Sequence, residues 1–190
     1  MKKFRIISLV LAVVLMFSVV PLSASAKEKD TVYQAKSQYT PLKGDFVFFD
    51  YDGDNAADHV GIIYKAKGKK IYTIEGNSEG TSYTTTKVRK YSYKYTSDEN
   101  IMGYVSTRFA FTQKNVGKKR ANQIAALAKK QLGNKGKKYW SQTKAWNGQP
   151  TYWQSIFCAW VIEKVGSNPV KRFGWNAFVP SWVDNVRKTT

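Results

Sequence analysis

The chain has 190 residues, with 31 Lys and Arg against 13 Asp and Glu, which gives a formal net charge of +18. Hydrophobic residues make up 43% and aromatic residues 15% of the sequence, enough to build a packed core, so a disordered chain is excluded. A single Cys and a single His exclude an internal disulfide, a Cys-rich zinc site and any metal site that needs two His ligands from this chain. The length fits one domain.

The first 26 residues have the pattern of a secretory signal peptide. Lys2, Lys3 and Arg5 precede an apolar run over residues 6–22, and small residues at 24–26 form a cleavage signature. We expect residues 1–26 to be removed, which leaves a secreted protein without a transmembrane span; an uncleaved membrane anchor is the alternative. Cleavage removes three basic residues and no acidic one, so the charge falls from +18 to +15. Such a charge favours an anionic partner, and the secreted address disfavours nucleic acid.

The next part of the chain predicts strands. Residues 27–40 are polar and are expected to be flexible. Residues 41–111 form the β half, in which turn residues separate short apolar or β-branched runs. The predicted strands are residues 46–49, 60–64, 70–74, 84–88 and 102–109.

The rest of the chain predicts helices. The basic composition of residues 112–120 predicts a linker. Residues 121–190 are predicted to form a helical half, with helices over 121–132, 155–165 and 180–187. We therefore expect one α+β domain over residues 41–190, with an antiparallel sheet packed on helices, and a monomer. All six Trp lie in the helical half. Their usual role is core packing, although Trp140 and Trp146 lie in a predicted loop where they could stack on sugar rings.

The only imidazole opens a predicted hairpin. If the turn centres near Gly68, paired residue numbers sum to about 136, which puts His59 opposite Asn77 and Glu75 on the same face. An amide or carboxylate there can bind one ring nitrogen, fix the tautomer and leave the other nitrogen facing a thiol. This register favours Asn77 as the orienting group, with Glu75 as the alternative.

The only thiol lies near the start of a predicted helix. A helix N-terminus and a nearby imidazolium both stabilise a thiolate, the form of Cys158 that attacks a carbonyl. The backbone N–H of Cys158, at that helix start, would then help to hold an oxyanion. The alternative is that Cys158 is a buried core residue and His59 a strand-end residue, and the spacing alone does not choose between them.

An acidic loop precedes His59. Asp50, Asp52, Asp54 and Asp58 offer oxygen ligands that suit Ca²⁺, but the spacing departs from the EF-hand pattern and a bidentate Glu is missing. We therefore interpret the loop as a tight polar turn, with Asp50, Asp52 and Asp54 as candidate calcium ligands in the alternative interpretation. No cofactor is expected.

Several segments together resemble a known family. The segments PLKGDFVFF (41–49), DHVGII (58–63) and IEGNS (74–78) resemble the second half of a CHAP domain, a family of the NlpC/P60 superfamily of papain-like cysteine hydrolases. The segments 124–133, 139–140 and FCAWV (157–161) resemble its first half, although Phe157 stands where CHAP domains commonly have Trp. The family order is Cys, His, then Glu or Asn; here Cys158 comes last, which implies a circular permutation.

This resemblance implies a function as well as a fold. It implies a permuted papain-like domain with Cys158 as the nucleophile, His59 as the base, and Asn77 or Glu75 as the orienting group. The implied activity is hydrolysis of an amide or peptide bond in peptidoglycan, an anionic wall polymer, by an N-acetylmuramoyl-L-alanine amidase or a peptide endopeptidase. Two alternatives remain open: a permuted hydrolase or acyltransferase acting on a lipid or another amide, and a non-catalytic wall-binding module that uses Trp140 and Trp146.

Overall fold

A computed structural model describes residues 33–79, 82–107, 114–142, 150–166 and 178–188. The strands are β1 Tyr33–Ala35, β2 Phe46–Phe49, β3 His59–Lys67, β4 Lys70–Ser78, β5 Lys87–Tyr93 and β6 Ile101–Val105. The helices are α1 Lys114–Lys129, α2 Lys137–Trp140, α3 Gln154–Lys164 and α4 Val179–Lys188, and a 3-10 turn covers Lys36–Gln38. Within these ranges, no helix has the length and apolarity needed to cross a membrane.

The six strands form one antiparallel sheet in the order β1-β6-β2-β3-β4-β5, so the α+β class with an antiparallel sheet is confirmed. The hairpin of β3 and β4 turns at Gly68, whose φ of +57° suits glycine. Ile62 pairs with Ile74 and Ile63 with Thr73, which is the predicted register. A register shift after Ile63 changes the pairing only toward the turn, away from His59.

Both faces of the sheet are buried. Successive side chains of a strand point to opposite sides, so each strand contributes to both faces. On one face, Phe46, Phe48, Val60, Ile62 and Ile74 pack against the helices, and this set with the buried helical residues is called the helix-side core. The other face carries a second cluster, packed against partly buried tyrosines. The second cluster consists of Val47, Phe49, Ile63, Ile71, Ile101 and Tyr104, with Tyr39, Tyr93 and Tyr95 against it.

Helix α3 is the centre of the helix-side core. All nine residues from Gln154 to Ile162 are buried, as expected for a helix that is apolar on every side. It packs on β3 and β4. Gly76 makes this close approach possible: a Cβ there would lie 2.7 Å from the Phe157 Cβ and 2.7 Å from the Trp153 ring.

Two segments expected to be irregular are ordered. Residues 33–35 of the predicted flexible segment pair with β6 as an edge strand, and residues 36–38 form the 3-10 turn. Most of the predicted linker at 112–120 lies in α1, which begins at Lys114. The predicted signal peptide, residues 1–26, lies outside the described residues.

The tryptophans mostly fill the core. Trp140, Trp153, Trp160 and Trp182 are all buried. Trp140 is only 5% exposed, with its ring 6.5 Å from that of Trp153, so it cannot serve as a sugar platform. Trp146 lies outside the described residues.

Candidate active site

His59 is the first residue of β3, at the end of the sheet nearest the acidic loop. Its side chain is 12% exposed, and its ring lies 6.0 Å from that of Phe49 and 6.3 Å from that of Tyr51. Its Nε2 lies 3.1 Å from Oε2 of Glu75. This contact commits Nε2 to the carboxylate and leaves Nδ1 as the nitrogen that can exchange a proton with a nucleophile.

Glu75 is a buried carboxylate held by several donors. Tyr93 donates its hydroxyl to Oε1 over 3.0 Å, and the Thr73 hydroxyl donates to the same oxygen. Gly61 leaves room for the carboxylate, since a Cβ at that position would lie 2.8 Å from the Glu75 Cγ. Burial and the Glu75 charge raise the pKa of Tyr93 well above its usual range, so its hydroxyl remains a donor. The His59–Glu75 pair is therefore fixed from several sides.

Asn77 faces a different set of partners. Its φ of +60° departs from strand geometry and turns its side chain away from His59. Its Nδ2 donates to Gln154 Oε1 over 3.0 Å, and its Oδ1 accepts from the Thr86 hydroxyl over 2.8 Å. The His59 ring is therefore paired with the Glu75 carboxylate, and the preference for Asn77 that rested on the hairpin register does not agree with this geometry.

Cys158 is fully buried in the helix-side core. Burial raises the pKa of its thiol well above the usual range, and the nearby charge of Glu75 raises it further. His59 and Glu75 lie with the second cluster on the opposite face of the sheet. Within the part of the chain that the structure describes, no hydrogen bond joins the thiol to His59. The imidazole and carboxylate are thus assembled, whereas the thiol is neutral and enclosed.

The position of Cys158 in α3 also differs from the expectation. It is the fifth residue of the helix, and the Phe157 amide already donates to the Trp153 carbonyl over 2.8 Å. The free amides of a helix start therefore lie before Cys158. The expected role of its own backbone N–H in an oxyanion hole does not fit this helix.

Gln154 connects α3 to the strand ends. Besides accepting from Asn77, it donates Nε2 to the Asp58 carbonyl over 3.2 Å, directly before His59. It lies four residues, about 6 Å along the axis, before Cys158 on the same side of α3. Outside it lies a pocket of about 310 Å³ lined partly by Asp58, Gln154 and two exposed aromatic residues, Tyr152 and Phe178. The four-residue spacing indicates that Gln154 and Cys158 share a side of α3, but the hydrogen bonds of Gln154 to Asn77 and Asp58 have no signal in the sequence.

The acidic loop is organised by its own carboxylates. Asp50 accepts from the amides of Gly53 and Asn55, and Asp58 from that of Tyr51. Asp54 accepts from the Ala56 amide. Asp50, Asp52 and Asp58 place carboxylate oxygens within 4.8 Å of one another. The bonds to backbone amides are those expected of a tight polar turn that leads into β3.

The CHAP domain family model matches residues 18–77 of this chain. The match includes His59, Glu75 and Asn77. It ends before the helices, and thus before α3, which contains Cys158. CHAP domains are typically peptidoglycan-hydrolysing amidase or endopeptidase domains, and they generally depend on a cysteine and a histidine. The match supports a CHAP-type family for this chain. No curated protein and no solved structure matches the chain.

Proposed function

We propose that the protein is a secreted cysteine hydrolase that cleaves an amide or peptide bond of peptidoglycan. The observation that carries the proposal is the His59–Glu75 pair, a buried carboxylate fixing an imidazole inside the segment that the CHAP model matches. A general base needs this arrangement, with one ring nitrogen anchored and the other available. The sequence provides one thiol to serve it, that of Cys158.

The reaction proceeds by acyl transfer in two steps. Nδ1 of His59 accepts the Cys158 proton, and the thiolate attacks the carbonyl carbon of the scissile amide. His59 then protonates the leaving amine, and a thioester to Cys158 remains. A water molecule, deprotonated by His59, hydrolyses the thioester and restores the thiol. Glu75 stabilises the imidazolium in both steps.

Catalysis requires a rearrangement that includes more than the first turn of α3, because the Cys158 thiol and the His59 imidazole lie on opposite faces of the sheet. The thiol must leave the helix-side core and reach the imidazole at the end of β3. Side-chain hydrogen bonds of Gln154 hold this turn to Asn77 and Asp58, on the wall of the 310 Å³ pocket.

The order of the two halves fits a circular permutation of a papain-like domain, the fold that the CHAP match suggests. In the unpermuted order the two present ends of the domain would be joined directly, so they need to be neighbours. The Arg187 guanidinium, in the last turn of α4, lies 4.6 Å from the ring centroid of Tyr33 in β1. The beginning and end of the described fold are therefore in contact, which supports the permutation.

Digestion of purified wall sacculi tests the proposed activity. The native protein and the Cys158→Ala and His59→Ala variants are incubated with sacculi, and mass spectrometry identifies the products. We expect new amino or carboxyl ends from the native protein only. Far-UV circular dichroism of both variants controls for folding. Equal product release by the Cys158→Ala variant would falsify the assignment of the nucleophile.

A non-catalytic wall-binding module is the second candidate, and the enclosed Cys158 thiol favours it. In that case the native protein and both variants would sediment equally with sacculi, and none would release a product. The same experiment therefore separates the two functions.

A further inference from the structure

The distribution of charge along the chain is strongly uneven. Between Glu99 and Glu163 the sequence contains eleven basic residues and no acidic one. This segment includes α1 and α2. Seven of its lysines are exposed: Lys118, Lys119, Lys129, Lys130, Lys135, Lys137 and Lys138. Among the described residues, the ion pairs are His59–Glu75 and Arg89–Glu79, and neither involves these lysines.

Four of the lysines form two pairs on one side of α1. One pair is Lys118 with Lys119, and the other is Lys129 with Lys130. Lys118 and Lys129 are eleven residues apart, as are Lys119 and Lys130, and eleven residues make three helical turns within about 20°. Lys130 continues the helical ladder, since its amide donates to the Ala126 carbonyl over 3.3 Å. The two pairs therefore lie on the same face, roughly 16 Å apart along the axis. We call this surface of α1 the lysine face.

The surface beside these lysines is open. Lys118 and Lys119 line a shallow groove of about 470 Å³ together with Asn122, Gln123 and Ala126. Concentrating like charges on one helix destabilises it unless counter-charges are supplied from outside. A linear anion lying along α1 would supply them, because it would contact both pairs at once.

We propose that the lysine face binds a linear polymer of phosphodiester repeats that lacks nucleobases. Lysine ammonium groups contact phosphates as point charges, without the bidentate geometry of arginine. The aromatic residues of the described segment 117–142, Tyr139 and Trp140, are buried, and the half-buried Tyr64 ring lies under the Lys129 ammonium, 5.7 Å from its centroid, so none of these rings is an open platform for bases. Asn122, Gln123 and Ala126 also lack the large apolar side chains that insert into a bilayer. This inference is independent of the hydrolase activity.

Binding of the purified chain to synthetic poly(glycerol phosphate) tests the proposal. A variant with Lys118, Lys119, Lys129 and Lys130 all changed to Gln should bind about tenfold more weakly at low salt, and its affinity should depend less on salt, because fewer counterions are released. Changing the same lysines to Arg keeps the charge and should keep the affinity within about twofold. This variant also separates loss of charge from loss of fold.

A charge-matched control removes four exposed lysines elsewhere, with Lys67, Lys69, Lys70 and Lys94 changed to Gln. It should weaken binding by less than about threefold, since only the long-range attraction is reduced. Equal losses in the two Gln variants would show that net charge alone drives binding and would overturn the proposal. Absence of binding by the native chain, or tighter binding to single-stranded DNA or phosphatidylglycerol vesicles than to the polymer, would overturn it as well.

Discussion

Three groups meet the Glu75 carboxylate: His59 on one oxygen, and Thr73 and Tyr93 on the other. Changing Glu75 to Gln keeps the shape but removes the charge that stabilises the imidazolium. If the proposed mechanism holds, wall hydrolysis should fall by about a hundredfold or more, while the fold is retained. Initial rates on soluble wall fragments measure this loss.

Asn77 supplies the matched control. Glycine at this position tolerates the φ of +60° and removes only the hydrogen bonds to Gln154 and Thr86. We expect this variant to lose stability, by about 1–2 kcal/mol, and to keep more activity than the Glu75 variant. The opposite order of activities would assign the orienting role to Asn77.

The burial of the Cys158 thiol can be measured through its raised pKa. Because burial and the Glu75 charge raise its pKa, iodoacetamide should alkylate it at pH 8 at least about a hundredfold more slowly in the folded than in the denatured protein. A raised pKa also means that the folded state binds the proton more tightly than the unfolded state. The stability from this group is therefore complete below about pH 8.5 and declines as the pH rises toward the folded value.

The Cys158→Ala variant isolates this contribution from that of the buried tyrosines. Its unfolding midpoint should fall less between pH 8 and pH 10 than that of the native protein. Rapid alkylation of the folded native protein at neutral pH would contradict the enclosed thiol.

At the scale of elements, the contact between β4 and α3 depends on Gly76. An alanine there would place its Cβ against Phe157 and Trp153, both fully buried, and should destabilise the protein by about 1–3 kcal/mol. Gly53→Ala is the comparison: no atom lies within 4 Å of its new Cβ, so its loss reflects only the strain of a φ of +79°, which Gly76 does not have. Urea denaturation measures both variants, and an unchanged stability of the Gly76 variant would show that the contact with α3 does not depend on this glycine.

Alternation and turn residues were sufficient to predict β2, the β3–β4 hairpin and its register near His59. The same signals failed for the strand that follows the β3–β4 hairpin. It was predicted at residues 84–88 and lies at Lys87–Tyr93 as β5. Side-chain hydrogen bonds of Ser82 and Thr85 hold the Thr run as a turn. Only Val88 of the seven β5 residues is buried, so the strand has little apolar pattern to detect. Tyr93, which binds Glu75, was missed for this reason.

The choice between Glu75 and Asn77 was beyond sequence reasoning for a different reason. The two residues share a face in a regular strand, and the register cannot separate them. The left-handed conformation of Asn77 removes its side chain from that face. An asparagine within a predicted strand does not by itself indicate such a conformation.

At the scale of the whole molecule, the permutation is tested by joining the two ends of the fold and opening the chain elsewhere. We expect a chain that starts at Lys114, joins Lys188 to Tyr33 by a short flexible linker and ends at Thr107 to fold within about 2 kcal/mol of the native stability, because Arg187 and Tyr33 are already in contact. Denaturation followed by circular dichroism measures it. A control opened between Thr73 and Ile74 interrupts β4 and should not fold cooperatively. Failure of the first chain to fold would contradict the permutation.

The central claim is that Cys158 and His59 act on the same bond. Its most direct measurement is mass spectrometry of the protein quenched in acid during turnover of a soluble peptidoglycan fragment. We expect an acyl group on the Cys158 peptide of the native protein and none in the His59→Ala variant. Fragment cleavage without any acyl group on Cys158 would contradict it.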